Sequence, residues 1–415
     1  MKKWMCWLLA AAMLLGMTGC KKNTKPETVP TESETTMATE TEPEVLEIPY
    51  EGEEDSRPYL GVTLEFQTEL SKEDAQAQAI VTAAAYFEAS TGAVVNVRWK
   101  ENVGEVSQMD IFEVGGAMLA SDYLEYALDL TEMAQTAGYE NWSHAAIRQQ
   151  VISRCGYLAG IASVPHLTAL YYDADAFESC GIQTMPVTWG DFLTLCKTLT
   201  LNGRTPLAMD GDFSNVATEL HLERALGREN LLTLITGGWA ATEEAVFAAE
   251  QISFLATEGY LAGGAPGVYP EGYKRLASGG AVMMASSDKL CQLMEADGGM
   301  EVRWGVCPWP GDGTGTGTAV DEQVLVINKN TENAQAAFDF VRLLTSGEFD
   351  QLRADLRRGI PADPNNISPI VGAVETLQKA SSESFGLLDI NFNDIYTQLW
   401  QGTYHTGGAF FRALG

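Results

Sequence analysis

Basic residues are scarce in this chain: 26 Lys and Arg stand against 56 Asp and Glu, a net charge of −30. That balance argues against nucleic acid or an anionic membrane surface as a partner, because both call for dense positive charge. Only four histidines occur (His144, His166, His221, His405), none at metal-ligand spacing, so no metal site is expected. No Cys-x-x-Cys pair is present, and the five cysteines beyond residue 20 (Cys155, Cys180, Cys196, Cys291, Cys307) are widely spaced and odd in number. They read as mostly buried small apolar side chains, with at most one or two disulfides. Gly-x-Ser-x-Gly, His-Glu-x-x-His and calcium-loop patterns are missing as well. No catalytic residue and no cofactor is therefore nominated, and the chain reads as a non-enzyme. After residue 20 no apolar run approaches the ~18–20 residues that span a bilayer.

What is present begins with the export segment. Lys2 and Lys3 precede an apolar stretch from Trp4 to Met17, and Thr18-Gly19 places small residues before Cys20. Residues 1–19 read as a lipoprotein signal peptide and Cys20 as the lipidated first residue, making the lipid the sole anchor to the cell membrane. From Cys20 to Arg57 the chain is rich in Thr, Glu and Pro, with eleven acidic and no basic residues between Pro26 and Ser56. Such a stretch buries too little apolar surface to offset the entropy of ordering, and it reads as a disordered, self-repelling tether. The first 25 residues carry +5 and the tether −11, which leaves −24 on the body. That charge suits a neutral or cationic small ligand.

The body, about residues 58–415, is too long for one hydrophobic core and is expected to form two lobes. Its opening reads as a βαβ unit: a strand at Val62–Phe66, a helix at Lys72–Ala89 capped by Ser71, and a strand at Val94–Trp99. A βαβ crossover implies a parallel pair. Strand and helix signals continue to alternate through Asp110–Val114, Leu170–Tyr172 and Leu207-Ala208, and residues 220–261 read as almost wholly helical. Alternation returns with strands at Gly280–Met284, Val302–Val306 and Gln323–Ile327, then a helix starting near Thr331 with Asn330 or Thr331 as cap. The run Gly311-Asp312-Gly313-Thr314-Gly315-Thr316-Gly317-Thr318 superficially resembles a phosphate loop. It leads into a strand and lacks a lysine, whereas a phosphate loop opens a helix, so it reads as a mobile surface loop.

Several segments in order resemble the family 1 extracellular solute-binding proteins of ABC importers. They are Phe87–Val97, Asp110-Ile111-Phe112, Leu170-Tyr171-Tyr172-Asp173-Ala174-Asp175-Ala176-Phe177, Cys180-Gly181-Ile182, Pro186-Val187-Thr188-Trp189-Gly190-Asp191-Phe192, Trp304–Pro308 and Gly359-Ile360-Pro361-Ala362. The resemblance implies an α/β, two-lobed periplasmic-binding-protein-like fold, each lobe a mostly parallel sheet flanked by helices and joined by hinge crossings. The order of segments puts 58–164 plus 276–318 in lobe 1 and 169–275 plus 322–415 in lobe 2. A monomer is expected that captures a small solute, most naturally a mono- or oligosaccharide, and delivers it to ABC permease subunits.

The resemblance also places ligand groups at strand ends and cleft segments. On this sequence they are Glu69, Glu113, Ser163, His166, Asp212, Phe213, Asn215, Ser287, Asp288 and Trp309. A sugar needs paired hydroxyl partners, and a buried polar group left unpaired costs ~1–3 kcal/mol, which gives such a site its discrimination. His166 could equally be a satisfied hinge histidine. Trp309, between two prolines, could stack on a ligand or cover the lobe surface. Thr188 reads as a helix cap with Trp189 structural behind it. Within the same fold a peptide or polyamine ligand stands as an alternative, as does a surface lipoprotein that has lost transport.

Overall fold

Alternation of apolar and polar side chains puts Leu64 and Phe66 on the buried face of the first strand, β1 (Thr63–Gln67). β2 (Val94–Arg98) and β3 (Ile111–Gly115) flank β1 in parallel, as the βαβ reading requires. The computed structural model describes residues 43–46, 57–102, 104–209, 215–236, 251, 254–264, 271–296 and 302–380. Cys20, almost all of the tether, Asp212, Phe213 and much of the expected 220–261 helical region lie outside the described residues.

The first helix, Ala77–Thr91, starts five residues later than the sequence suggests. Asp74 accepts from the Gln76 N–H and so shapes the turn before the helix, in place of a Ser71 cap. Gly92, at φ +82°, ends the helix, where a left-handed residue closes the last turn. The helix expected near Thr331 runs from Ala334 to Leu344, and Thr331 caps no helical N–H but accepts from Asn333.

Five further strands complete an eight-stranded sheet: β4 (Ile161–Asp173), β5 (Leu207–Ala208), β6 (Met283–Ser287), β7 (Trp304–Cys307) and β8 (Ala319–Ile327). The order is β2-β1-β3-β8-β4-β6-β5, with β7 also on β4. β4 is the spine. Its first half pairs antiparallel with β8 (Ile161↔Leu325 to Thr168↔Ala319) and its second half with β6 and β7. β8 in turn pairs with β3 (Glu113↔Leu325). β4 and β8 therefore tie the early strands to the later ones.

Packing divides about these two strands. Leu64, Phe66, Phe87, Ile111, Val326, Phe338 and Phe340 form one core, with the Phe340 ring 5.8 Å from Phe66 and 5.4 Å from Phe87. Beyond it, β4 is buried on both faces. Leu167, Ala169 and Tyr171 pack with Met284, Trp304, Val306, Ile360 and Leu377, while Leu170 and Tyr172 pack with Phe192, Met283, Cys307 and Trp309. Burial on both faces explains the near-continuous apolar run of this strand.

Residues 283–309 pack with β4 and the elements around it, where Ala146, Ile147 and Ala162 join Met284, Trp304 and Val306, and residues 324–349 pack with β1–β3. The physical reason is that β8 enters antiparallel beside β3. An apolar run such as Val324–Ile327 carries no sign of which strand it will join.

The Gly311–Thr318 run differs from its reading too, because it is pinned against the helix Asn215–Leu226. Glu223, 2% exposed, accepts from the Thr316 N–H at 3.0 Å and the Gly317 N–H at 2.7 Å. Arg224 donates to the carbonyls of Gly311 and Gly315. A Cβ at Gly313 or Gly315 would overlap helix carbonyl oxygens, and Gly317 sits at φ +67°. The glycines allow backbone to approach backbone.

No described helix is long and apolar enough to cross a membrane. The five body cysteines are free thiols, and burial pushes Cys307 up to about 12.

Candidate functional site

β1 and β3 run parallel, so their C-terminal ends open on the same side and bring Gln67, Thr68 and Glu69 beside Glu113. A cavity of about 390 Å³ lies there, walled in part by these four residues with Lys100 and Tyr123. That volume falls within the range of small-molecule pockets. Glu69 is exposed at its rim. Partial burial and the negative charge of Glu113 raise the Glu69 carboxyl above its ordinary value, while Lys100 and Lys289 oppose the rise.

Glu113, 5% exposed, is held from three elements. Thr68 donates to Oε2 at 2.6 Å from the end of β1. Ser163 of β4 donates to Oε1 at 2.7 Å, and Arg353, on the helix Gly347–Leu356, donates to the same oxygen at 2.9 Å. Burial alone would raise this carboxyl, but Arg353, Thr68 and Ser163 together hold it below the usual carboxylate range. Thr68, Glu69, Glu113 and Ser163 thus form one constellation.

A second constellation lies where β4 meets the end of β6. The His166 ring Nδ1 is 3.1 Å from both oxygens of Asp288, and the Leu167 N–H donates to Oδ1 at 3.2 Å. An ionised carboxylate only accepts, so Nδ1 carries the proton. Arg357 approaches Asp288 at 3.7 Å. Burial would raise Asp288, yet His166, Arg357 and the Leu167 N–H hold it low. Ser287, half-buried, pairs with Thr168 in the register just before Asp288.

Two cations one helical turn apart thus serve the two constellations: Arg353 meets Glu113, and Arg357, which caps the same helix, meets Asp288. A third buried group adjoins them on β8. Glu322 (0% exposed) accepts from Arg154 at 2.7 Å and Gln150 at 2.8 Å.

Of the ten nominated ligand residues, Glu69, Glu113 and Ser163 are brought together, and His166, Ser287 and Asp288 form the neighbouring group. Trp309 belongs to neither. It is fully buried, its ring 5.4 Å from Phe192 and its indole N–H donating to His221 at 3.1 Å, so it packs within the core. Asn215 opens the helix Asn215–Leu226. A second concavity of about 390 Å³, between Gly181 and Thr198, contains none of the nominated residues.

Sequence reasoning missed Arg353 and Arg357. The signal was present as an i, i+4 arginine pair just before Gly359-Ile360-Pro361, but on a helix opening with Glu348 and Asp350 it reads as a solvated charged face. Lys100 and Tyr123 carry no local signal at all.

A family model described as bacterial extracellular solute-binding protein matches residues 67–348 of the chain. No curated protein matches it. Among solved structures, the apo form of RafE from Streptococcus pneumoniae aligns at TM-score 0.65 and 16% identity, covering 86% of this chain and 99% of that one. The bacterial solute receptor AcbH, described as having an exclusive preference for β-D-galactopyranose, aligns at TM-score 0.62 and 15% identity, over 85% of this chain and 97% of that one. RafE in complex with raffinose aligns at TM-score 0.57 and 15% identity, over 85% and 99%. At such identities these likenesses show a shared fold.

Proposed function

The chain belongs to the bacterial extracellular solute-binding proteins, and from that premise we propose that it captures a neutral mono- or oligosaccharide between two lobes and delivers it to an ABC permease. It does so as a lipid-anchored monomer tethered through Cys20 and the acidic stretch that follows, and it binds the solute without transforming it.

The observation that carries the carbohydrate reading is charge compensation at the site. Glu113 is matched by Arg353 and Asp288 by Arg357 and His166, while Glu69 stands between the fields of Lys100 and Lys289. The −24 of the body would suit a cation, but a cation site needs unpaired acids in the cleft, and the two buried acids here, Glu113 and Asp288, are paired. What remains is a set of fixed acceptors beside hydroxyl groups and the Tyr123 ring, the chemistry that pairs with sugar hydroxyls and apolar sugar faces. The raffinose and β-D-galactopyranose named for structures of the same fold support this class.

A thermal-shift screen of the mature chain tests it, since a ligand that binds only the folded state raises the melting temperature. Neutral sugars, raffinose and galactose among them, are expected to raise it. A rise with putrescine or a cationic peptide and none with any sugar would replace this reading with the polyamine or peptide one.

A further inference from the structure

Arg353 is the one cation within hydrogen-bond reach of Glu113 among the described residues, and it is nearly unexposed, at 1%. Its Nη2 bonds Glu113, while Nε and Nη1, both buried, have no hydrogen-bond partner. The neighbouring guanidinium is occupied elsewhere: Arg357 faces Asp288 and donates to the Ile360 carbonyl. The groups facing Glu113 are thus Thr68 from β1, Ser163 from β4 and Arg353 from the helix Gly347–Leu356, with Glu69 and Arg357 contributing charge from further away.

Resting on the reading of this cavity as the ligand site, we propose that Arg353 is a positioning residue: through its bond to Oε1 it keeps Glu113 ionised and fixed, so that Glu113 accepts from a ligand hydroxyl that Arg353 itself never touches. Oε1 already takes two donors, from Arg353 and Ser163, whereas Oε2 takes one, from Thr68. A carboxylate oxygen has two lone-pair sites, so the free site is on Oε2, the oxygen bonded to a residue of the cavity wall. Without Arg353 the buried carboxyl loses its bonded counter-charge and takes up a proton more readily, which turns an acceptor into a donor.

The test follows the Glu113 side-chain carboxyl by carbon-13 NMR in glutamate-labelled full chain, assigned with Glu113→Gln, from about pH 4.5 to about pH 8. Raffinose is titrated calorimetrically in parallel. In the wild type Glu113 is expected to stay ionised throughout. In Arg353→Gln it is expected to titrate inside that range, with raffinose affinity at least about tenfold weaker at the acid end and recovering toward the alkaline end. Arg353→Lys, which keeps the charge but not the planar fork, is expected to keep Glu113 ionised while shifting its resonance. Glu113 remaining ionised in Arg353→Gln would overturn the proposal, as would a raffinose affinity that ignores its protonation. If Arg353→Gln does not fold, an unmoved Glu113 resonance in Arg353→Lys overturns it and a shifted one supports it. If raffinose fails to bind the wild type, the carbohydrate reading is in question, and the NMR titration alone decides the role of Arg353.

Discussion

Replacing Glu113 by Ala removes the carboxylate to which a buried Arg353 is bonded. Breaking a buried pair by deleting one partner costs about 3–5 kcal/mol, because an uncompensated charge stays behind. Glu113→Ala is therefore expected to lose both binding and thermal stability. Glu69→Ala should leave the melting temperature nearly unchanged and weaken ligand binding about tenfold, roughly 1.4 kcal/mol. Calorimetry and thermal melts on the two variants check the contrast. From the sequence alone both carboxylates look alike, each near the C-terminal end of a strand, and their different burial comes from β4 and the helix Gly347–Leu356 closing over one of them. Asp350 offers a pH test of the same helix. Burial pushes its carboxyl up to about 6 from 3.8, against the Asp363 and Ala362 N–H groups, Asn366 and Arg357. Its folded value lies above the unfolded one, so between these two values the folded chain holds a proton that the unfolded chain has released. Stability from this group is then lost as pH rises through that window, on the order of 2–3 kcal/mol. Asp350→Asn should remove the slope, measured as urea midpoints across the window.

Among the elements, the Gly311–Thr318 run carries the sharpest expectation. Pinned by Glu223 and Arg224, it should show slowed hydrogen exchange at the Thr316 and Gly317 amides, whose N–H groups end on a buried carboxylate. Gly315→Ala should destabilise the fold by about 1–3 kcal/mol, because the added methyl has to displace the helix carbonyl of Glu223. Exchange as fast as an open loop would contradict the pinning. A sequence of alternating Gly and Thr announces freedom, and only the neighbouring helix removes it. Local chemistry was easier to read. Thr188 caps the helix Trp189–Leu201 in a capping box with Asp191, and Trp189 packs beneath at 4.6 Å from His221, because four adjacent residues contain the whole motif. The βαβ opening was legible for the same reason. The return of β8 to β3, the burial of Trp309 and the arginine pair were not, since each depends on partners far away in sequence, from Asp288 for Arg357 to Glu113 for Arg353.

For the whole molecule, two chain crossings in the sheet, β4 and β8, separate the core around Phe340 from the cores on either side of Tyr171. Closure of lobes about these strands should appear as a smaller radius of gyration in solution scattering when ligand is added. The −24 of the body predicts strong salt dependence for any cationic ligand, and charge compensation at the site predicts little for a neutral one. A calorimetric titration of raffinose and galactose into the mature chain, repeated at low and high ionic strength, joins these points in one measurement. A neutral-sugar site predicts saturable one-to-one binding of at least one neutral carbohydrate with the same affinity at both salt concentrations. Silence with every neutral sugar, beside spermidine binding that weakens as salt rises, would contradict it.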